Sequence, residues 1–384
     1  MAVTALAATV LATSLAGCDL PTESEDPGQI TVGADLELSG SGAAIGKAYH
    51  DALRLKVEQL NAAGVAGNRK INLVVRDNRS DNNISLKNIG DFADDRSVAA
   101  VITGVCSHCV LTATRTINAK RLPTIALAPS TQVSEPVSER RYVFKIAPNA
   151  PDGAAALANE VQRNRVKKVA LLTTDDPYGS DGAAAIKFEL DKAGVDLVAT
   201  RQIKATDTDV SGAVRDLVEA KPDAIVVWTF AEQAGLAATS AKANGFTGQL
   251  LFDSAAAGDL FLAGPVVSAA EGTTMVFTQT MVIDDVIATT PTKAARKQWF
   301  RDYTARYGSY YGYASFAADA LQLIGDALTR VGGVDRDRIR DVIETSQLDG
   351  LSGPIRITPD NHSGLMPQAL TMLVARGGRW RLAG

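Results

Sequence analysis

Ile30-Thr31-Val32-Gly33-Ala34, then Gly40-Ser41-Gly42-Ala43-Ala44-Ile45-Gly46, then a run from Lys47 to Ala62 read in succession as strand, glycine loop and amphipathic helix. In that run Tyr49, Leu53, Val57 and Leu60 recur at helical spacing, and Gly64 and Gly67 close it as a left-handed stop would. The next β-branched run, Ile71-Asn72-Leu73-Val74-Val75, completes a strand-helix-strand unit. Such units imply an α/β fold with parallel strands and crossover helices.

The alternation continues through candidate strands Ala99-Ala100-Val101-Ile102 and Thr124-Ile125-Ala126-Leu127. A second series runs through Val169-Ala170-Leu171-Leu172, Val195-Asp196-Leu197-Val198, Ala224-Ile225-Val226-Val227-Trp228, Gln249-Leu250-Leu251-Phe252 and Thr274-Met275-Val276-Phe277. Gly194 stops the helical segment Lys187 to Ala193. Two series imply two sheets, and the break falls near Phe144-Lys145-Ile146-Ala147-Pro148-Asn149. A chain of 384 residues is also longer than a single core usually supports. No solenoid-type repeat interrupts the pattern.

Hydrophobic residues at 46% and charged residues at 21% are ordinary for a globular protein. The formal charge of −4 comes from the segment Asp19 to Gln29, which holds Asp19, Glu23, Glu25 and Asp26 and no base; without those four, acids equal the 39 bases. A balanced body lacks the basic footprint that nucleic-acid binding requires.

Residues 2–17 are uncharged and end in Leu15-Ala16-Gly17-Cys18, a stretch too short for a membrane span of about 20 residues. It resembles a bacterial lipobox, so residues 1–17 are expected to be a cleaved signal peptide and Cys18 the site of lipid attachment. No Lys or Arg precedes Lys47, a departure from the usual basic opening of an export signal that fits a start codon placed too late. Residues 18–29, acidic and containing Pro21 and Pro27, read as a tether. A buried apolar N-terminal helix is the competing reading.

The order of motifs resembles the type I periplasmic binding proteins, specifically the branched-chain amino acid and amide receptors of ABC importers. Val32-Gly33-Ala34-Asp35-Leu36-Glu37-Leu38-Ser39-Gly40 is similar to that family's first strand and Ser-Gly loop, and Asn61-Ala62-Ala63-Gly64-Val65-Ala66-Gly67 to its N-x-x-G-G-I-x-G turn. Asp176-Pro177-Tyr178-Gly179 with Gly182 resembles its Y-G turn, Ala270-Glu271-Gly272 its A-E-G, and Leu348-Asp349-Gly350-Leu351-Ser352-Gly353-Pro354-Ile355 its C-terminal F-x-G-x-x-G. The resemblance implies two Rossmann-like lobes joined by three hinge crossings: residues 30–148 and 279–350 in the first lobe, 149–278 and 351–384 in the second. It also implies a monomeric, extracytoplasmic receptor, lipid-anchored to the outer face of the cytoplasmic membrane. Such a receptor passes a small amino acid or amide-like solute to an ABC permease, needs no cofactor or metal, and is not an enzyme.

The resemblance places the solute between the lobes. On the first wall it implies Ser107, the backbone of Ala128 and Ser130, with Thr131 as the alternative register; hydroxyls and N–H groups there would hold a carboxylate. On the second wall it implies Tyr178, Phe230 and Asp253, the acid facing an ammonium. Each Ser or Thr could equally be a cap or turn former, and Asp253 a helix cap. Ile45 stands where several amino acid receptors carry an aromatic. Tyr303, Tyr307, Tyr310, Tyr311 and Tyr313 crowd one stretch, most of them expected to pack the hinge and Tyr313 to reach the solute.

Three other readings compete. Cys106-Ser107-His108-Cys109 is a CxxC motif, which outside the cytoplasm reads as a local disulfide stiffening the loop rather than a redox centre. Gly40, Gly42 and Gly46 form a near miss to a dinucleotide fingerprint, with Asp77 closing the second strand; the GxGxxxG spacing departs from GxGxxG. The same fold could also serve as a ligand sensor feeding a signalling partner. Neither a GxSxG elbow nor an HExxH motif occurs, and His50, His108 and His362 are far apart in sequence.

Overall fold

The computed structural model describes residues 28–66, 69–257, 262 and 264–383; the leader, Cys18 and the tether up to Pro27 lie outside the described residues. Five parallel strands make the first sheet: β1 (Gln29–Leu36), β2 (Lys70–Asp77), β3 (Val98–Thr103), β4 (Thr124–Ala126) and β5 (Val143–Lys145), in the order β2-β1-β3-β4-β5. Ala34 pairs with Val75 on one side and Ile102 on the other. Every residue of β3 is buried, as a parallel strand covered on both faces must be. The connecting helices are α1 (Ala43–Ala62), α2 (Asn82–Asp94) and α3 (Ser107–Ala119). The first begins four residues earlier than its apolar stripe predicts.

The second sheet takes β6 (Lys168–Thr174), β7 (Asp196–Ile203), β8 (Ala224–Trp228), β9 (Gln249–Phe252) and β10 (Thr274–Thr278), linked by α4 (Ala150–Arg163), α5 (Pro177–Ala193), α6 (Ser211–Glu219), α7 (Ala231–Ala243) and α8 (Val266–Ala270). Gly194 ends α5 at φ +66°, a left-handed position that glycine adopts without strain. The chain then returns to the first lobe as α9 (Pro291–Tyr307), α10 (Ala314–Val331), α11 (Arg336–Glu344) and the hairpin β11 (Gln347–Asp349) and β12 (Pro354–Arg356). It finishes in the second sheet as β13 (Leu370–Arg376), antiparallel to β10, and β14 (Arg379–Leu382), giving the order β14-β13-β10-β9-β8-β6-β7.

The chain therefore crosses between lobes three times, at 146–149, at the 3₁₀ segment Gln279–Asp285, and ahead of β13. The last crossing lies later than residue 351. Leu351 N, Ser352 N and Ser352 Oγ all donate to the buried Asp319 of α10, and Gly364 N donates to Lys145 O. Residues 351–365 are thus held to the first lobe because Asp319, buried in α10, takes its donors from the Gly350-Leu351-Ser352 turn.

Two buried clusters flank the first sheet, one toward α1 and α10, the other built from α2 and α3 through Ile89, Phe92, Val110 and Ile117. In the second lobe α4 and α5 pack Leu157, Ile186 and Leu190 against one sheet face. The carboxyl ends of β1, β3 and β4 face those of β6, β8 and β9, where ligand sites form in open parallel sheets.

Candidate functional site

The first wall is assembled around a buried acid. Glu37, at the carboxyl end of β1, accepts from Val105 N (2.8 Å), Cys106 N (3.2 Å) and Asn78 Nδ2 (3.0 Å). Burial pushes its carboxyl up to about 7, against the downward pull of those donors. The loop comes this close because residue 104 is glycine: a Cβ there would lie 2.0 Å from Glu37 Oε2. Cys106 and Cys109 form a disulfide with S–S 2.01 Å, and Cys106 Sγ also accepts from Cys109 N at the start of α3. Pinned on both sides, the loop presents Ser107 as the first residue of α3, buried, its Oγ accepting from Ser130 N at 3.2 Å.

The neighbouring loop, which follows β4, is bonded across to the opposite lobe. Ala128 is fully buried, its methyl packed in the α2/α3 core. Ser130 Oγ donates to Asp181 Oδ2, Thr131 N to the same oxygen, and Gln132 Nε2 to Oδ1. Asp181 belongs to α5, in the opposite lobe. Of the donors that the resemblance assigned to a solute carboxylate, the Ser130 hydroxyl and the Thr131 N–H are therefore engaged by a carboxylate of the protein itself, while the buried Thr131 Oγ1 has no partner.

The second wall is aromatic. Asp176 caps α5 by accepting from Gly179 N, which places Tyr178 in the first turn. The Tyr178 ring stands 5.3 Å from Phe230 and 5.9 Å from Trp228, the latter at the end of β8. The glycines of the Tyr178-Gly179 turn have a steric reason: a Cβ on Gly179 would be 1.9 Å from Thr174 O, and one on Gly182 2.3 Å from Trp228 Nε1. Asp253, buried after β9, caps the turn Ser254–Ala256 through Ala255 N and accepts from the Tyr178 hydroxyl. The same acid both caps the turn and lines the space between the lobes. Its Oδ1 has no partner, and burial pushes the carboxyl up to about 7.

Between these walls, a void of about 10 Å³ is lined by Pro129, Pro148, Asn149, Tyr178, Trp228 and Asp253 among others, room for one water. Tyr313 reaches the same region and donates to Ser254 O at 2.6 Å; its ring meets Tyr49 edge-on, and Tyr49 donates to Leu127 O. Tyr49, Trp228 and Asp181 were not assigned a site role from sequence. A signal existed for Tyr49, one helical turn after Ile45 on the buried face of α1.

The glycine loop is spent internally. Asp77 accepts from Leu38 N, Ser39 N, Ser39 Oγ and Arg79 N, while Gly42 N donates to Ser80 Oγ. Gly46 packs on the Glu37 backbone, where a Cβ would fall 2.0 Å from its carbonyl oxygen. That geometry leaves Asp77 and these N–H groups bonded to the loop rather than open to a ribose or pyrophosphate. Among the described residues, Glu37, Cys106 and Cys109 are the one trio with metal-ligand proximity, and their sulfurs are bonded to each other. No described helix is long and apolar enough to cross a membrane.

Comparison with known proteins converges on one group. Among curated relatives, Leu/Ile/Val-binding protein homolog 7 of Brucella abortus (strain 2308) is 21% identical over 333 residues, 83% of this chain and 82% of that protein. An extracellular ligand-binding receptor from Rhodopseudomonas palustris HaA2 superposes with TM-score 0.84 at 23% identity, covering 92% of this chain and 99% of that one. The branched-chain amino acid transporter substrate-binding protein LivJ from Streptococcus pneumoniae, solved with isoleucine, gives 0.80 at 22% identity over 92% and 98%. The sequence profile of the periplasmic binding protein family matches residues 29–379. With that match spanning both lobes and all three crossings, the chain belongs to the periplasmic binding protein family.

Proposed function

We propose that this protein is an extracytoplasmic solute receptor of an ABC importer, anchored through a lipid on Cys18, that closes on a small amino acid or amide-like molecule and delivers it to a membrane permease. The observation that carries the reading is Asp253: a buried carboxylate with one oxygen unpartnered, at a void between the lobes. A solute ammonium would supply the missing donor. Tyr178 orients the acid, Phe230 covers the solute's apolar part, and Ser107 with the backbone of Ala128 meets the other pole. A bound solute favours the closed state because its second-wall contacts exist only when the lobes meet.

Support also comes from the relatives, whose names record leucine, isoleucine and valine binding. Thermal denaturation against a panel of L-amino acids, small amides and NAD(H) tests the reading. A true ligand at about a thousand times its Kd adds roughly 4 kcal/mol of stability. A shift with an amino acid or amide that disappears in Asp253→Asn is the expected result; a shift with dinucleotide alone would sink it.

One comparison favours a second reading. A chemotactic signal transduction system substrate-binding protein, BasB of Halobacterium salinarum, is 26% identical over 206 residues, 51% of this chain and 49% of its own length. A receptor of this fold can thus feed a transducer. Crosslinking the loaded receptor in native membranes separates the two: capture of a permease supports import, capture of a transducer supports sensing.

A further inference from the structure

Asp181 lies on α5 three residues beyond Tyr178, in the second lobe, half-buried and clear of the aromatic wall. Its carboxylate takes three donors from consecutive first-lobe residues: Ser130 Oγ at 2.5 Å, Thr131 N at 2.7 Å and Gln132 Nε2 at 2.9 Å. The donor loop is itself pre-set. Ser130 N is tied to Ser107 Oγ, and Ser130 Oγ also accepts from Gln132 N. Ser130 is fully buried in this arrangement, so with the lobes together its hydroxyl depends on Asp181 as acceptor.

We propose that Asp181 is the closure latch of this receptor, a positioning residue that holds Ser130, Thr131 and Gln132 across the cleft and sets the population of the closed state before any solute arrives. Donors and acceptor belong to different lobes, so all three bonds form on closing and break on opening. A contact made in only one of two states is what shifts the equilibrium between them. The bonds are charge-assisted, and such bonds are about twice as strong as neutral ones. Because α5 carries both Asp181 and Tyr178, the latch also fixes the helix whose phenol orients Asp253.

The latch needs the two-lobe closure but no particular solute, so its test uses solute-free protein and stands apart from the assignment of the ligand. Small-angle scattering of the wild type, Asp181→Asn and Gln132→Ala is fitted to closed and open populations. The wild type should contain a closed component, and Asp181→Asn should lower the closed-to-open ratio about tenfold, equivalent to about 1.4 kcal/mol. Gln132→Ala, at an exposed side chain that removes one donor, should lower it less and guards against misfolding of the first variant. A wholly open wild type, or an unchanged ratio in both variants, overturns the proposal.

Discussion

The Tyr178 hydroxyl donates to one oxygen of Asp253 and leaves the other buried without a partner. The acid is thus oriented on one side and unsatisfied on the other. An unpaired buried acceptor is costly, and burial holds the carboxyl up at about 7. A donor from a bound molecule would relieve that cost.

Asp253→Asn should weaken binding of an ammonium-bearing solute by about 30-fold or more, since losing one partner of a buried charge pair costs about 2–5 kcal/mol. Binding favours the ionised acid and so expels a proton below about pH 7. Wild-type affinity should therefore rise as pH increases toward 7 and then level, whereas the variant should show no such slope. Titration calorimetry in buffers of different ionisation enthalpy reads both affinity and proton release.

Glu37→Gln isolates the buried acid under the Ser107 loop. Its carboxyl is raised from 4.5 to about 7 by burial, so between those values the folded protein holds a proton that the unfolded chain has lost. Stability from this group is full below pH 4.5 and is lost as pH rises toward 7, by on the order of 3 kcal/mol. The difference in unfolding free energy between wild type and variant, measured by urea denaturation across pH 4.5 to 7, should fall with pH by about that amount; a flat difference contradicts the account.

Gly46→Ala places a methyl 2.0 Å from the Glu37 carbonyl oxygen and 2.6 Å from its carbon. Backbone cannot yield as a side chain can, so α1 must move off β1. The cost should be about 3 kcal/mol, read as a lowered denaturation midpoint. Gly64→Ala has no atom within 4 Å of the added carbon but strains a position at φ +70°, and should cost less.

Reducing the Cys106–Cys109 bond, or replacing both residues with alanine, should cost about 2 kcal/mol, because the closed loop is short. Glu37 continues to hold Val105 N and Cys106 N, so the loop should loosen without unfolding. Urea denaturation with and without a phosphine reductant checks the stability loss. Hydrogen exchange in α3 should quicken at its first turn only.

Local chemistry made much of this protein readable in one dimension. The β-branched runs at Ile71–Val75 and Ala224–Trp228, the left-handed stop at Gly194 and the break at residues 146–149 all depend on neighbours in sequence. The strands β5, β11, β12 and β14 have three or four residues, too short a pattern to read, and the late third crossing depends on Asp319 being buried far away in the chain.

The amino-acid order alone determined the α/β alternation, the two sheets and the types of side chain gathered near Ser107, Tyr178 and Asp253, since periodicity and turn preference are properties of adjacent residues. Only the folded molecule decided that Ser130 and Thr131 answer to Asp181, some fifty residues away, and that Asp253 keeps one oxygen free. Hydrogen bonding reaches about 3 Å, and which groups come within that reach across a cleft is set by how two independently formed sheets meet.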